Sequence, residues 1–425
     1  MLKKVANPLS VILLLALLLR LIGIQHGFPY VFHPDEPAVV RTALALRFDL
    51  NPHHFDWPHL FIYLNFFLYK FIALFRDIAE DAGYKYLIAQ FLPLLWNDKL
   101  IFYLLSRLLS GVVGALTIFP VYLTGKNLFN KQIGLFSALA MALIPFHVRH
   151  SHYALIDVPA TFFLSWAMYF CTNIMTRKRV EDFIVVGLFV GFAASTKYNA
   201  GLSAILVPLA YLFRVLKEKE RLLSFEGINN MLLSGVSALF GFLIGTPFAL
   251  FDFGTFIRTD GPAGALWQFT NVGKLSLWGN IESFFTSMWV KLSKDFGYTF
   301  LVVYWFLLIT GAVSLLKRVG QGMRLNVWFL LIPSLIFFFY ISGFEKNRSH
   351  YYMITYPFVA LAVGYVVNSF LQKSKQKSVV GFVIYLLVVL IYFIPFYFAI
   401  MNIVYLNRPV EDIYQKTIYG GDIVR

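Results

Sequence analysis

Two things are scarce in this sequence: cysteine and charge. Cys171 is the only cysteine among 425 residues, so no intramolecular disulfide can form. Because it lies in an apolar run, we interpret it as a small buried hydrophobe rather than a redox group. Charged residues make up only 14% of the chain, whereas hydrophobic residues make up 59% and include 46 Phe and 24 Tyr. This balance excludes an ordinary soluble domain and indicates an integral membrane protein.

The apolar stretches also lack the residue-by-residue alternation of outer-membrane strands. They continue for about 20 residues, the length of a membrane-spanning helix, so helices rather than a barrel are indicated. We predict an all-α integral membrane protein with about 11 transmembrane helices, and a twelfth as the alternative. The predicted spans are 8–27, 101–124, 132–147, 159–175, 183–197, 198–216, 231–251, 298–316, 326–342, 351–371 and 379–401.

Basic residues are in excess, and the net charge is +14. In a soluble protein this would suggest nucleic acid, but the bases cluster between the spans, so no nucleic-acid partner is needed. If the amino terminus is cytoplasmic, every cluster falls on the cytoplasmic side, as the positive-inside rule requires. We therefore expect a multi-pass protein of the plasma membrane with a cytoplasmic amino terminus. The clusters are Lys3 and Lys4, Lys126 and Lys131, 177–179, 217–221, Lys317 with Arg318 and Arg324, and 373–377.

The apolar segment 58–75 is the exception to this topology, because counting it as a span would reverse all later clusters. Asn65 and Lys70 interrupt it, so we expect a helix in the outer interface or half-buried against the bundle. A removable signal peptide at 1–27 is the weaker alternative to a first span. The chain is then one polytopic domain, 1–425, with a first outer loop at 28–100, an outer loop at 252–297 and an outer tail at 402–425.

Acids and histidines gather on the outer side. In "VFHPDEPAVV", Pro37 suits the first turn of a helix, which would put Asp35 and Glu36 at its positive end. Asp157, just before Pro159, begins a later span on the same face. Both aspartates could be simple helix caps; alternatively, they could hold an acceptor hydroxyl and a sugar hydroxyl, or share a divalent metal ion.

Several cations on this face could meet a phosphate. Lys197 follows the run "VGLFVGFAAST" at the outer end of its helix, at the level of lipid headgroups. Arg107 lies within an apolar run, where a charge is either functional or reaches out to the interface. His147, His150 and His152 lack the spacing of a zinc site, and we expect polar loop histidines. Further cations expected near this face are Arg20, Arg41, His59, Arg149, Arg348 and His350.

Taken in order, these segments resemble the GT-C class of multi-spanning glycosyltransferases, in particular dolichyl-phosphate-mannose protein mannosyltransferases and bacterial aminoarabinose transferases. The likeness covers most of the first 215 residues and weakens afterwards. It is carried by "HPDEP", "WPHLFIYL", "SRLLSGVVGALTIFPVYLTGKNLF", "HYALIDVPATFF", "GLFVGFAASTKYNAG" and "NRSHYYMITYPFVALAVGY". His59 departs from the pattern, since many relatives have proline or a charged residue there.

The resemblance implies that Asp35 is the catalytic carboxylate with Glu36 beside it, and that Asp157 is a second acidic determinant. Lys197 and Arg107 would contact the lipid phosphate, and His59 and Arg348 are further candidates for it. Tyr351 or Tyr352 would lie near the donor. The implied reaction is inverting transfer of a sugar from a polyprenyl phosphate, dolichyl or undecaprenyl, to an acceptor hydroxyl on the non-cytoplasmic side.

The acceptor is left open among protein, lipid and glycan hydroxyls. No cofactor is expected, apart from the divalent metal left open above. Two alternatives remain at this stage: a transporter or flippase for a lipid-linked saccharide, and a polysaccharide polymerase or ligase using the same donors. A transporter would favour a symmetric pair of broken helices, and the sequence has no convincing internal repeat.

Overall fold

A computed structural model describes residues 7–46, 49–96, 99–177, 179–271, 273–315, 321–373, 379–408 and 422–423. The helices of the amino-terminal half are α1 (Pro8–Leu21), α2 (Glu36–Ala45), α3 (Leu60–Asp81), α4 (Lys85–Phe91), α5 (Leu100–Leu116), α6 (Ile118–Leu128), α7 (Lys131–Leu143), α8 (Pro145–His150), α9 (Asp157–Thr176), α10 (Val180–Thr196), α11 (Leu206–Glu218) and α12 (Phe225–Gly245).

The carboxyl half continues with α13 (Phe248–Phe251), α14 (Phe253–Phe256), α15 (Ala265–Asn271), α16 (Leu277–Thr286), α17 (Ser293–Asp295), α18 (Thr299–Leu315), α19 (Gln321–Ser342), α20 (Tyr356–Lys373) and α21 (Val379–Leu406). The described residues also include 3₁₀ helices at Pro93–Trp96, Tyr198–Ile205 and Ser349–Thr355, and a π-helical turn at Ser287–Leu292. Strand β1 (Tyr30–Val31) pairs antiparallel with β2 (Asp422–Ile423).

Each of the eleven predicted spans overlaps at least one helix, which confirms the all-α prediction, although α1 ends at Leu21, within the predicted span 8–27. Within the described residues, six helical segments are long and apolar enough to cross a membrane: Leu100–Leu128, Tyr198–Glu218, Phe225–Gly245, Arg324–Ser342, Ser349–Lys373 and Val379–Leu406. The protein is a multi-pass membrane protein, and the number of crossings stays a prediction. The predicted tail at 402–425 begins too early, because α21 continues to Leu406; residues 409–421 lie outside the described part.

Helix α3 has two apolar faces with different surroundings. Phe61, Ile62 and Phe66 are buried, whereas Phe67 and Phe71 are 60% and 66% exposed. This is the geometry of a helix that lies half-buried against the bundle, as the sequence predicted. Whether it crosses the membrane stays a prediction.

Small residues let helices α10 and α12 pack at close range. A Cβ atom at Gly187 would lie 2.3 Å from the Ser234 carbonyl oxygen, and one at Gly191 would lie 2.2 Å from that of Ala238. These glycines are four positions apart, so both lie on one face of α10, as in the small-xxx-small interfaces of membrane helices. This contact fixes the position of α10, which ends next to Lys197, one of the candidate site residues.

Arg20 is fully buried but does not face a site. Its guanidinium donates to the carbonyl oxygens of Ala16, Met141 and Ala142 at 3.1–3.3 Å, and Nη2 lies 2.9 Å from His147 Nδ1. Met141 and Ala142 belong to the last turn of α7, whose carbonyl groups have no partners inside the helix. Arg20 therefore satisfies the negative end of α7, which accounts for a cation in an apolar segment.

Candidate active site

Helix ends and the loops between them line a cavity of about 310 Å³. Six residues that the sequence singled out line it: Asp35, Asp157, Lys197, Arg348, His350 and Tyr351. They come from four separate parts of the chain, the start of α2, the start of α9, the end of α10 and the segment before α20. The sequence led us to expect Asp35, Glu36, Asp157 and Lys197 around one pocket on the non-cytoplasmic side. Asp35, Asp157 and Lys197 line this cavity, whereas Glu36 does not, and the side of the membrane stays a prediction.

Asp35 stands at the N-cap of α2, with Pro37 in the first turn as expected. Its carboxylate does not cap the helix, and among the described residues it has no hydrogen bond or ion pair. Its backbone N–H donates to His33 Nδ1 at 3.2 Å, which fixes the turn. The side chain is half-buried and faces the cavity. A carboxylate held at a helix start without a partner can accept a proton from a bound hydroxyl.

Glu36, the adjacent acid, has a different position from the one expected. It is fully buried, and both of its oxygens are used by Arg107: Nε donates to Oε1 at 2.7 Å and Nη2 to Oε2 at 2.8 Å. The backbone N–H of Ala154 donates to Oε1 at 2.9 Å. Glu36 therefore faces away from the cavity and joins α2 to α5, and we assign it a positioning role instead of a catalytic one.

Each nitrogen atom of the Arg107 guanidinium likewise has a hydrogen-bond partner. Beyond Glu36, its Nη1 donates to the carbonyl oxygens of Ile24 and His26 at 3.2 and 2.8 Å, and its side chain is 1% exposed. A phosphate would have to displace these bonds, and Arg107 does not line the cavity. The expected contact with the donor phosphate is therefore not supported by its position. A buried charge in this environment is tolerated because its partner and hydrogen bonds are complete.

Asp157 and Lys197 form the second ion pair, and this one is in the cavity wall. Asp157 is the first residue of α9, and Lys197 caps the end of α10; the ammonium group donates to the Asp157 carboxylate. Their side chains are 7% and 13% exposed. Lys197 Nζ also lies 5.0 Å from the centre of the Tyr351 ring. The ammonium group is thus oriented, positive and within reach of a ligand in the cavity.

The segment before α20 supplies the remaining positive charge. Lys346 and Arg348 are exposed and line the cavity, together with His350 and Tyr351 on the following 3₁₀ helix. The amide of Asn199 donates to the Tyr351 carbonyl oxygen at 3.3 Å, which ties this segment to the end of α10. Of the two tyrosines left open by the sequence, Tyr351 faces the cavity, whereas Tyr352 is fully buried against Phe338.

His59 has a structural position. It is fully buried at the start of α3, and burial lowers its pKa to about 4, so the ring is neutral near pH 7. Its Nε2 donates to the carbonyl oxygen of His54 at 2.7 Å. A neutral buried ring outside the cavity lining does not fit the expected role in binding phosphate.

Six of the nine histidines in the sequence lie in one group beside the cavity, which the sequence did not indicate. The ring centres of His33 and His150 are 6.3 Å apart, and those of His150 and His350 are 6.0 Å apart. The prediction of loop histidines was wrong for His147 and His150, which belong to a helix; His152 lies in the turn that follows, and all three side chains are buried. Pro145 starts the short helix α8 directly after α7, and this helix is packed into the bundle. The histidine group beside the cavity consists of His26, His33, His147, His150, His152 and His350.

The cavity is also lined by residues that the sequence did not single out, among them Asp56, Trp57, Asn199, Gln268, Phe269 and Lys346. "HFDWP" at 54–58 has no periodicity that would have placed it in a site.

An apolar cavity of about 700 Å³ adjoins the first one and shares Tyr340 and Phe344 with it. Within the described residues, no group of three or more acidic, histidine or cysteine side chains is arranged to hold a metal ion.

Comparison with known proteins supports the same class. Residues 83–248 match the family model described as dolichyl-phosphate-mannose-protein mannosyltransferase. A curated relative is dolichyl-phosphate-mannose–protein mannosyltransferase 1 of Saccharomyces cerevisiae, which is 27% identical over 163 residues. This match covers 35% of the present chain and 19% of the yeast protein.

Two solved structures have a similar architecture. The oligosaccharyltransferase of Archaeoglobus fulgidus superimposes with a TM-score of 0.54 at 13% identity, over 97% of this chain and 57% of that one. ArnT from Cupriavidus metallidurans, bound to undecaprenyl phosphate, gives a TM-score of 0.53 at 14% identity, over 94% and 72% of the two chains. The present chain is thus shorter than these relatives. The resemblance to GT-C glycosyltransferases is confirmed, and the fold is a GT-C-like helical membrane fold.

Proposed function

We propose that this protein is a glycosyltransferase that moves a sugar from a polyprenyl-phosphate-linked donor to an acceptor hydroxyl, with inversion. The observation that carries the proposal is the cavity lined by the cations Lys197, Lys346 and Arg348 and by Asp35, whose carboxylate has no hydrogen-bond partner among the described residues. The likeness to ArnT, solved with undecaprenyl phosphate, and to a dolichyl-phosphate-mannose transferase supports a polyprenyl phosphate as the carrier.

Asp35 acts as the general base. It removes the proton of the acceptor hydroxyl while that oxygen attacks the anomeric carbon from the face opposite the phosphate. The bond between the anomeric carbon and the phosphate oxygen breaks, and polyprenyl phosphate leaves. Because a phosphate is a stable anion, it needs positive charge rather than a proton from a second acid. Lys197, held by Asp157, and Arg348 supply that charge.

The adjoining apolar cavity accounts for the lipid part of the donor. It shares Tyr340 and Phe344 with the polar cavity, and it lies next to the segment that carries Lys346 and Arg348. A donor with its phosphate on these cations can therefore extend its isoprenoid chain along apolar side chains. Burial of such a chain contributes about 25 cal/mol for each Å² of apolar surface removed from water.

The reaction is tested with the purified protein and a panel of polyprenyl-phosphate sugars. We expect release of polyprenyl phosphate in the presence of acceptor, and loss of about 10²–10⁴-fold in rate for Asp35→Asn, with unchanged thermal stability. Asp260→Asn, in an exposed pair with Arg258, is the matched control. Release unaffected by Asp35→Asn would contradict the role of Asp35. Vesicle uptake of a lipid-linked saccharide without any release would support a transporter instead.

The proposal also requires the cavity to face the non-cytoplasmic side. The buried Cys171 allows a cysteine-free background through Cys171→Ala. We expect an impermeant thiol reagent to label cysteines introduced at the exposed positions Pro34 and Asp49 from outside, but one at Leu223 only after permeabilisation. Labelling of Pro34 and Leu223 from the same side would contradict this topology.

A further inference from the structure

The loop segment 54–58 is held rigidly although it contains no helix or strand. The Phe55 N–H donates to the Ala263 carbonyl oxygen at 2.5 Å, and the Tyr198 hydroxyl donates to the Phe55 carbonyl oxygen at 2.8 Å. His59 fixes the segment further through His54, and its own N–H donates to Thr246 Oγ1 at 3.2 Å. A backbone tied to several elements can display its side chains in a fixed geometry.

Asp56, Trp57 and Pro58 of this segment line the cavity, and Asp56 is the one with a polar side chain that can recognise hydroxyl groups. The Asp56 carboxylate accepts from His54 Nδ1, and both side chains of this pair are about a third exposed, at 31% and 33%. The other ring nitrogen of His54 lies 3.4 Å from Thr42 Oγ1 on α2, the helix that begins at the Asp35 site. The orientation of Asp56 is therefore set relative to that of Asp35.

The residues beside Asp56 form a wall of a different chemical character from the cationic segment. Gln268 and Phe269 come from α15, and the Phe269 ring lies 6.0 Å from that of Tyr198. This wall has a carboxylate, an amide and aromatic rings, whereas the cations that line the cavity are on 346–348 and at Lys197. The cavity also contains the carboxylates of Asp35 and Asp157, and that of Asp157 is already paired with Lys197. A phosphate is favoured by the cationic segment 346–348 and repelled by the Asp56 carboxylate, so the Asp56 wall is available for the acceptor.

The groups of this wall fit a saccharide. A carboxylate accepts hydrogen bonds from hydroxyl groups, an amide both donates and accepts, and an aromatic ring packs against an apolar C–H face. A peptide in an enzyme groove often pairs its main chain with a strand edge. None of the described lining residues lies in a β-strand, and a volume of about 310 Å³ is at the small end for ligand sites.

We propose that Asp56, Trp57 and Gln268 form an acceptor subsite that binds a saccharide, with Asp56 accepting a hydrogen bond from a hydroxyl next to the attacking one. This inference rests on the proposed function, because it assigns the acceptor of the same cavity. Asp35 removes the proton of the attacking hydroxyl, and Asp56 orients the sugar ring that carries it. Asp56 is thus a specificity residue, and no proton or bond is transferred to it.

The test uses the purified full chain, a saturating polyprenyl-phosphate sugar, and two kinds of acceptor: methyl hexosides and a threonine-containing peptide. We expect transfer to methyl hexosides. Asp56→Asn and Trp57→Ala should raise the acceptor KM about tenfold or more, since a hydrogen bond to a charged group is lost in the first case, while the donor KM is unchanged. Trp57→Phe should recover part of the affinity. Asp49→Asn, in the exposed pair with His53 in the same loop, is the control.

Transfer to the peptide alone would overturn the saccharide assignment. A change in donor KM with Asp56→Asn, or an unchanged acceptor KM, would overturn the subsite. If the protein releases no polyprenyl phosphate at all, the proposed function fails instead. The subsite is then tested by tryptophan fluorescence: saturable quenching by methyl hexosides that Trp57→Phe abolishes supports it, and its absence overturns it.

Discussion

Two acid–base pairs lie within one small region and differ in what surrounds them. Glu36 and Arg107 are 0% and 1% exposed and have complete hydrogen bonding, whereas Asp157 and Lys197 are partly open to the cavity. The sealed pair, Glu36 and Arg107, is buried and holds α2 against α5. The open pair, Asp157 and Lys197, lines the cavity, so a bound anion can compete with Asp157 for the Lys197 ammonium group. Asp35 and Glu36 are neighbours in the sequence but differ in the same way: Asp35 lines the cavity, where we propose that it acts as the base, and Glu36 belongs to the buried pair.

The comparison predicts its largest effect for the sealed pair. Arg107→Leu should destabilise the protein by about 3–5 kcal/mol, because it leaves a buried carboxylate without its partner. Thermal unfolding in detergent measures the loss. The double variant Glu36→Gln with Arg107→Met should recover part of the stability, since no unpaired charge remains.

Arg214→Leu is a suitable control for this experiment. Its contact with Glu220 is longer, at 3.8 Å, and Glu220 is 28% exposed, so we expect a smaller loss of stability. If Arg107→Leu instead keeps its stability and loses only donor affinity, Arg107 is a phosphate ligand and the distinction between the two pairs is wrong.

A smaller effect, on binding, is expected for the open pair. Lys197→Met should weaken donor binding by about 1.5–3 kcal/mol, or about 10- to 150-fold in donor KM, because a charge-assisted hydrogen bond to the phosphate is lost. Stability should change less than with Arg107→Leu, since water in the cavity reaches Asp157. Lys85→Met, which removes an exposed partner of Glu80, should leave both quantities unchanged.

Steady-state kinetics with a polyprenyl-phosphate sugar separates the two quantities. A variant Lys197→Met with normal donor KM and a large drop in melting temperature would make Lys197 a structural residue like Arg107. The pairs would then differ in exposure alone.

Local signals in the sequence account for what could be predicted. Hydrophobic periodicity gave the helices, and proline in the first turn gave the start of α2, because both depend on neighbouring residues. The end of α10 at Lys197 follows from a similar change of composition. Asp35, Asp157 and Lys197 could therefore be placed at helix ends on one face.

Side-chain direction could not be predicted, because it depends on distant partners. Whether Asp35 or Glu36 faces the cavity is decided by the rotation of α2, which Arg107 fixes from α5. The position of Asp56 depends on Phe55 pairing with Ala263, more than 200 residues away in the chain. No short stretch of sequence contains that information.

The histidine group beside both pairs predicts the smallest effect, on the pH dependence of stability. Burial lowers the pKa of His33, His150 and His152 from the usual 6.5. Between pH 6.5 and the lowered pKa values, the unfolded chain binds more protons than the folded one, so acidification destabilises the fold. Each such histidine contributes up to about 1.4 kcal/mol per pH unit. The positive charge of nearby Arg149 also lowers the pKa of His150, whereas the Asp157 carboxylate raises it.

We expect the melting temperature to be constant above pH 7 and to fall as the pH is lowered from 6.5 to 5. His150→Phe should reduce that slope, because it replaces the imidazole, whose ring centre lies 4.2 Å from that of Phe146, by a ring that cannot be protonated. His53→Gln, at an exposed side chain, should leave the slope unchanged. A fall in stability on raising the pH through this range would contradict this prediction. It would mean that Asp35 and Asp157 stabilise these histidines as cations, so that the histidine group would resemble the accessible Asp157–Lys197 pair rather than the buried Glu36–Arg107 pair.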